Sequence, residues 1–251
     1  MAKVSPRQML RKVPEVTIYF WIIKLLSTAM GESTSDYLVN KFDPYLVVSL
    51  GFIGLFIILS LQFKTRRFVP WVYWLAVVAV AIFGTMAADV THVALSVPYI
   101  VSTIVFAVAL AVIFVAWQKT EKTLSIHSIT TTRREFFYWA TVLATFALGT
   151  AAGDFTAYTL GLGFFSAGVL YTITFAIPAI GYKIFKWNSI FAFWFVYIMT
   201  RPLGASIADW TGKAHSFGGL GWGDGPVGGV LALLIIILVG YLTITRKDVK
   251  A

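Results

Sequence analysis

Eight stretches of about twenty predominantly apolar residues follow one another along this chain, at about 16–36, 44–63, 70–92, 97–117, 136–157, 163–185, 190–210 and 227–245. A helix needs roughly twenty residues to cross the hydrocarbon of a bilayer, and lipid offers the backbone no hydrogen-bond partners, so each stretch predicts a transmembrane helix. Composition excludes a soluble reading. Apolar residues make up 59% of the chain and charged residues 12%, against about 25% charged in an ordinary soluble domain. The lipid bilayer is therefore the expected partner.

The net charge of +9 would suit nucleic acid, but its distribution argues otherwise. Lys and Arg gather at Lys3, Arg7, Arg11 and Lys12; at Lys64, Arg66 and Arg67; at Lys119, Lys122, Arg133 and Arg134; at Lys183 and Lys186; and at Arg246, Lys247 and Lys250. These are the two tails and every second loop, whereas the opposite loops carry only Lys41 and Lys213. That alternation is the positive-inside pattern, with both termini cytoplasmic; no nucleic-acid partner is expected. Val16 to Met30 follows a basic tail but lacks a small-residue cleavage site, and reads as a retained first helix. With no cysteine, disulfides and thiolate ligands are excluded, and any metal must take oxygen or imidazole donors.

A spaced repeat organises the apolar stretches. Trp-x9-Gly-x4-Asp occurs as Trp21–Gly31–Asp36, Trp74–Gly84–Asp89, Trp139–Gly149–Asp154 and Trp194–Gly204–Asp209, once in each odd-numbered stretch. Composition alone predicts ~0.02 such matches, so the chain contains a genuine internal repeat. An even number of spans separates the copies, so all run the same way through the membrane. The expected fold is an all-α membrane protein of eight transmembrane helices in a single domain, residues 1–251. It consists of four parallel helical-hairpin repeats, approximately 14–66, 67–122, 132–186 and 187–247, with pseudo-fourfold or pseudo-twofold symmetry.

Each repeat position has a physical reading. The Trp residues stand at the start of the odd helices, where indoles favour the headgroup boundary. Four residues after each Gly comes Ser35, Ala88, Gly153 or Ala208, a small-xxx-small pattern that lets helices approach closely. Fifteen residues of helix raise each Asp about 22 Å above its Trp, which puts the four carboxylates at one depth. One turn below them lie Glu32, Thr85, Thr150 and Ala205. Arg201 falls near the bilayer midplane, where a charge costs at least about 2.5–3.5 kcal/mol and needs a partner, and Pro202 kinks its helix. His92 shares the face of Asp89, and Lys24 is close enough to the basic side to snorkel outward.

Crowded carboxylates in a low dielectric must bind protons or a metal ion. The preferred function is membrane transport of a cation, a divalent metal ion such as Mn²⁺, proton-coupled, at Asp36, Asp89, Asp154, Asp209, Glu32 and His92. The carboxylates act as metal ligands and Arg201 as gating residue or counter-ion. The alternatives are a cation channel with an acidic ring, a small-anion carrier organised on Arg201, and a non-transporting structural or sensory membrane protein. No resident cofactor is expected, the metal ion being the substrate. No enzyme is expected either. There is no His-Glu-x-x-His, no Walker A motif and no nucleophilic-serine context, and Ala151-Ala152-Gly153-Asp154 lacks the first glycine of an intramembrane aspartyl protease.

The segments Val13-Pro14-Glu15-Val16, Gly31-Glu32, Thr200-Arg201-Pro202-Leu203-Gly204-Ala205-Ser206 and Gly218-Gly219-Leu220-Gly221 resemble a bacterial family of small polytopic proteins labelled "membrane-anchored protein". The likeness spans nearly the whole chain, and the Thr-Arg-Pro-Leu-Gly-Ala run is its most specific element. The resemblance implies a bacterial inner-membrane location and supplies no activity.

Overall fold

The computed structural model describes residues 11–93 and 95–249; Lys3, Arg7 and Lys250 of the basic clusters lie outside them. Among the described residues the chain forms eight long helices: α1 (Ile18–Lys41), α2 (Pro44–Lys64), α3 (Pro70–Val93), α4 (Tyr99–Glu121), α5 (Thr132–Asp154), α6 (Gly163–Phe185), α7 (Ser189–Gly212) and α8 (Asp224–Thr245). Local chemistry sets the ends. Thr17, Asp43, Thr131 and Asn188 cap α1, α2, α5 and α7 by accepting from backbone N–H groups of the first turn. Lys122, Lys186 and Arg246 close α4, α6 and α8 in left-handed conformation, each placing a cation at a helix C-terminus.

Seven of these helices, α2 to α8, are long and apolar enough to cross a membrane. Helix α1 is equally long but carries Lys24, Glu32 and Asp36. Its neighbours explain how it tolerates them, because α3, α7 and α8 enclose it.

The odd helices form the inside of the molecule. α1 packs on α3, α3 on α5, α5 on α7, and α7 back on α1, a closed ring of four. The even helices stand outside, with apolar faces rich in exposed Leu, Ile, Val and Phe. Each even helix packs most extensively on the odd helix that follows it: α2 on α3, α4 on α5, α6 on α7, and α8 on α1. The packing unit therefore straddles successive sequence repeats. The hairpin expected from sequence order is the weaker association.

The glycine of each repeat is the point where the ring closes. A Cβ on Gly31 would meet Ala81, one on Gly84 would meet Phe146, one on Gly149 would meet Arg201 and Pro202, and one on Gly204 would meet Thr28 and Ala29. Thr28, Ala81, Phe146 and Arg201 each precede their own glycine by three residues, so one contact recurs four times around a pseudo-fourfold axis. Gly31→Ala should therefore lower thermal stability in detergent by about 1–3 kcal/mol, since the new methyl would lie 2.9 Å from the Ala81 carbonyl carbon. Gly54→Ala, on α2 with nothing within 4 Å, should leave it unchanged.

Aromatic residues close one end of the ring. Phe20 meets Trp74 at 5.7 Å, Tyr73 meets Trp139 at 5.6 Å, Tyr138 meets Trp194 at 6.2 Å and Phe193 meets Trp21 at 5.6 Å. Here the structure departs from the headgroup reading of the tryptophans. Trp74, Trp139 and Trp194 are buried in the central core, and Trp21 packs against it. Each copy has an aromatic residue just before its Trp, and that residue covers the indole of the next copy.

The basic loops and tails meet at this same end. Phe68 N–H donates to Arg11 O at 2.8 Å, Lys12 N–H to Ile129 O at 3.0 Å, and Glu15 N–H to Asp248 O at 3.0 Å. Residues 11–15 are tucked beneath the bundle. The ammonium of Lys12 donates to buried Glu135 at 2.5 Å and to Phe63 O at 3.1 Å, and Gln62 donates to the other Glu135 oxygen at 2.9 Å.

Candidate cation site

Steps of four residues along each inner helix give a stripe of side chains from the aromatic end to the opposite end. On α1 the stripe reads Phe20, Lys24, Thr28, Glu32, Asp36; on α3, Tyr73, Val77, Ala81, Thr85, Asp89; on α5, Tyr138, Val142, Phe146, Thr150, Asp154; and on α7, Phe193, Tyr197, Arg201, Ala205, Asp209. Each step rises about 6 Å. The four stripes make layers that are equivalent in position and unequal in chemistry.

Arg201 sits in the middle. It is fully buried, and its aliphatic stem lies against Gly149, where any side chain would displace it. Its Nη2 donates to Glu32 on α1, to Thr85 Oγ1 on α3 and to Thr150 Oγ1 on α5. One guanidinium thus ties the other three repeats together at the position four residues before their Asp. Thr85 and Thr150 also donate to Ala81 O at 3.0 Å and Phe146 O at 3.1 Å, which holds their oxygens in place as acceptors. Thr28 occupies the Arg201 position on α1, and its hydroxyl donates to Thr200 O at 3.1 Å beside Pro202.

The acidic layer is one turn further. Glu32, Asp36 and Asp209 each offer an oxygen, and these atoms lie within 4.8 Å of one another. Asp89 and Asp154 interact electrostatically with Glu32 and Asp36 but are not part of that three-carboxylate group. The end of α5 is irregular there: beyond Asp154 the helix widens over Phe155–Thr159, and Leu160 N–H reaches back five residues to Phe155 O at 2.9 Å. Tyr171 on α6 braces the widened turn, bonding Thr156 at 2.8 Å and Ala152 O at 2.9 Å.

His92 stands apart. Its Nδ1 faces Val97 O at 3.1 Å, its Nε2 faces Ser102 Oγ at 3.4 Å, and its ring packs on Tyr99 at 4.2 Å. The imidazole is thus engaged with the α3–α4 connection and is not brought into the carboxylate group.

Lys213, absent from the sequence-based set, supplies the resident positive charge. Its ammonium pairs with Asp36 and lies 3.9 Å from Asp209 and 3.7 Å from Asp224. Burial opposes its charge, but Asp36, Asp209 and Asp224 outweigh burial and raise its pKa above the ordinary lysine value. The glycine-rich connection holds it there. That segment folds back on the end of α7, with Leu220 N–H donating to Trp210 O at 2.7 Å and Gly221 N–H to Lys213 O at 2.9 Å. Gly219 packs so tightly on Lys213 O that a Cβ cannot fit, and Gly218, Gly221 and Gly223 take left-handed φ values. The sequence signal for Lys213 was its position four residues after Asp209, on a side of the molecule almost free of basic residues.

The departure at Lys24 is larger. It does not reach the basic boundary. It is 1% exposed, its Nζ lies 4.0 Å from the Phe146 ring centroid and 4.5 Å from that of Tyr197, and it has no hydrogen-bond acceptor among the described residues.

The long apolar helices and the fourfold internal repeat define a polytopic helical membrane protein with a polar axis. The chain matches the family described as Repeat of Unknown Function (DUF347) four times, at residues 19–68, 72–123, 137–186 and 192–248, and it belongs to that family. No curated protein and no solved structure matches it significantly.

Proposed function

We propose that this protein is a secondary carrier for a divalent cation, bound at the acidic end of the axis and exchanged for protons. The observation that carries the proposal is the approach of Glu32, Asp36 and Asp209 oxygens to within 4.8 Å of one another. Oxygen donors without sulfur suit hard cations, of which Mn²⁺, Mg²⁺ and Ca²⁺ are the class. Carboxylates outnumber cationic groups in this region, since Asp89, Asp154 and Asp224 add to the three while Lys213 and Arg201 oppose them. An arriving divalent ion replaces the Lys213 ammonium as the compensating charge.

A carrier fits the axis better than an open pore. Below the carboxylates a cation would have to pass Arg201, then Lys24, then the aromatic layer, two buried basic side chains and a hydrophobic closure. In this reading α1 is the eighth transmembrane span, shielded from lipid by α3, α7 and α8. The basic end faces the cytoplasm of a bacterial inner membrane.

Purified protein should show a saturable rise in Tm with Mn²⁺, Mg²⁺ or Ca²⁺, and proteoliposomes should take up the same ion with counter-movement of protons. Absence of stabilisation by every divalent ion, together with absence of flux, overturns the proposal.

A further inference from the structure

Two buried basic side chains share the axis, and among the described residues Arg201 has a carboxylate and Lys24 has none. Arg201 Nη2 is occupied by Glu32, Thr85 and Thr150, but among the described residues its Nε and Nη1 have no acceptor, and neither has Lys24 Nζ. Buried polar groups in folded proteins nearly always find partners, and orphaned charged donors in a membrane interior are costly. The rings of Phe146 and Tyr197 offer Lys24 the negative faces of their π systems, which favours the charge but accepts no conventional hydrogen bond. Lys12 shows the contrast: the same side chain, also buried, has Glu135 and a backbone carbonyl.

The orphaned donors are neighbours. Lys24 Nζ lies 4.0 Å from the Phe146 centroid, and the Arg201 guanidinium carbon lies 5.5 Å from the same centroid. Along the stripes, Lys24 is one layer from Arg201, on the side away from Glu32. Glu32 is therefore two helical turns, about 12 Å, from Lys24 along α1 and already committed to Arg201.

We propose that Lys24 and Arg201 together form a binding site for a small inorganic anion of the halide class, seated in the axis beside Phe146. The anion accepts from Lys24 Nζ and from the free Arg201 N–H groups, and it supplies the negative charge this layer lacks. A halide is the smallest anion that can accept from both groups, which have the Phe146 ring as a common neighbour. The site meets the carboxylate cluster through the Arg201–Glu32 pair, and its occupancy does not depend on the cation reading.

The test is thermal unfolding of the purified full chain at fixed ionic strength, with gluconate replaced stepwise by chloride or bromide. Wild type should show a saturable rise in Tm of about 2–4 °C. Lys24→Met should lose the response and Lys24→Arg should retain it. A wild type indifferent to halide overturns the site, as does Lys24→Met responding like wild type, which would place the anion elsewhere. Should Lys24→Met not fold, crystals grown in bromide decide the matter. An anomalous peak between Lys24 and Arg201 supports the site, and its absence there rejects it.

Discussion

Glu32→Gln is expected to destabilise the protein by about 3–5 kcal/mol, enough to remove most of the folded chain from the membrane. Among the described residues Glu32 is the only carboxylate paired with Arg201, and both side chains are buried. Taking away one member of a buried pair leaves the other charge uncompensated, and that residual charge causes the loss. The effect should propagate, because the guanidinium also orders Thr85 and Thr150. Replacing both members, Glu32→Met with Arg201→Met, should recover much of the stability, since an apolar pair leaves no stranded charge. Unfolding in detergent, followed by tryptophan fluorescence, measures both variants. A Glu32→Gln protein as stable as wild type would mean that the axial ion pair contributes nothing.

The second large effect concerns the cation. Asp36→Asn and Asp209→Asn should each weaken divalent-ion affinity by at least about tenfold, or roughly 1.4 kcal/mol, and together should abolish ion-dependent stabilisation and flux. Asp89→Asn and Asp154→Asn should have smaller effects, because those carboxylates act on the cluster through space without joining it. Asp43→Asn, altering the exposed cap of α2, should leave affinity unchanged. Lys213→Met should strengthen binding, since the ammonium paired with Asp36 competes for the same carboxylates. Equal affinity in all these variants would place the ion somewhere other than the axis.

The repeat glycines and aspartates were readable in the sequence because their spacing recurs four times, and periodicity survives without knowledge of neighbours. What the helices do with that spacing was less readable. Pairing by sequence order suggested hairpins, yet each even helix packs mainly on the next repeat, a choice made by side-chain fit between segments far apart in the chain. The tryptophans illustrate the same limit. An indole near a helix end is equally suited to the lipid interface or to an aromatic core, and only the neighbouring Phe20, Tyr73, Tyr138 and Phe193 decide for the core. That aromatic-Trp dipeptide recurs in every copy and is the sequence signal for the core. Lys24 and Lys213 were harder. A long flexible side chain can reach in several directions, and its partners are set by packing across the axis and by the fold of a glycine-rich loop.

The closed ring bears on how such a chain can be encoded. Because α8 lies on α1 as α2 lies on α3, the bundle has no seam that marks where translation starts. The described segments before α1 and after α8 meet at one end, with Glu15 N–H bonded to Asp248 O. A circularly permuted gene, joined across those segments and opened in another basic-end loop, should encode the same assembly. Successive duplication of one ancestral unit leads naturally to this arrangement, in which the fourth outer helix covers the first inner one and closes the ring.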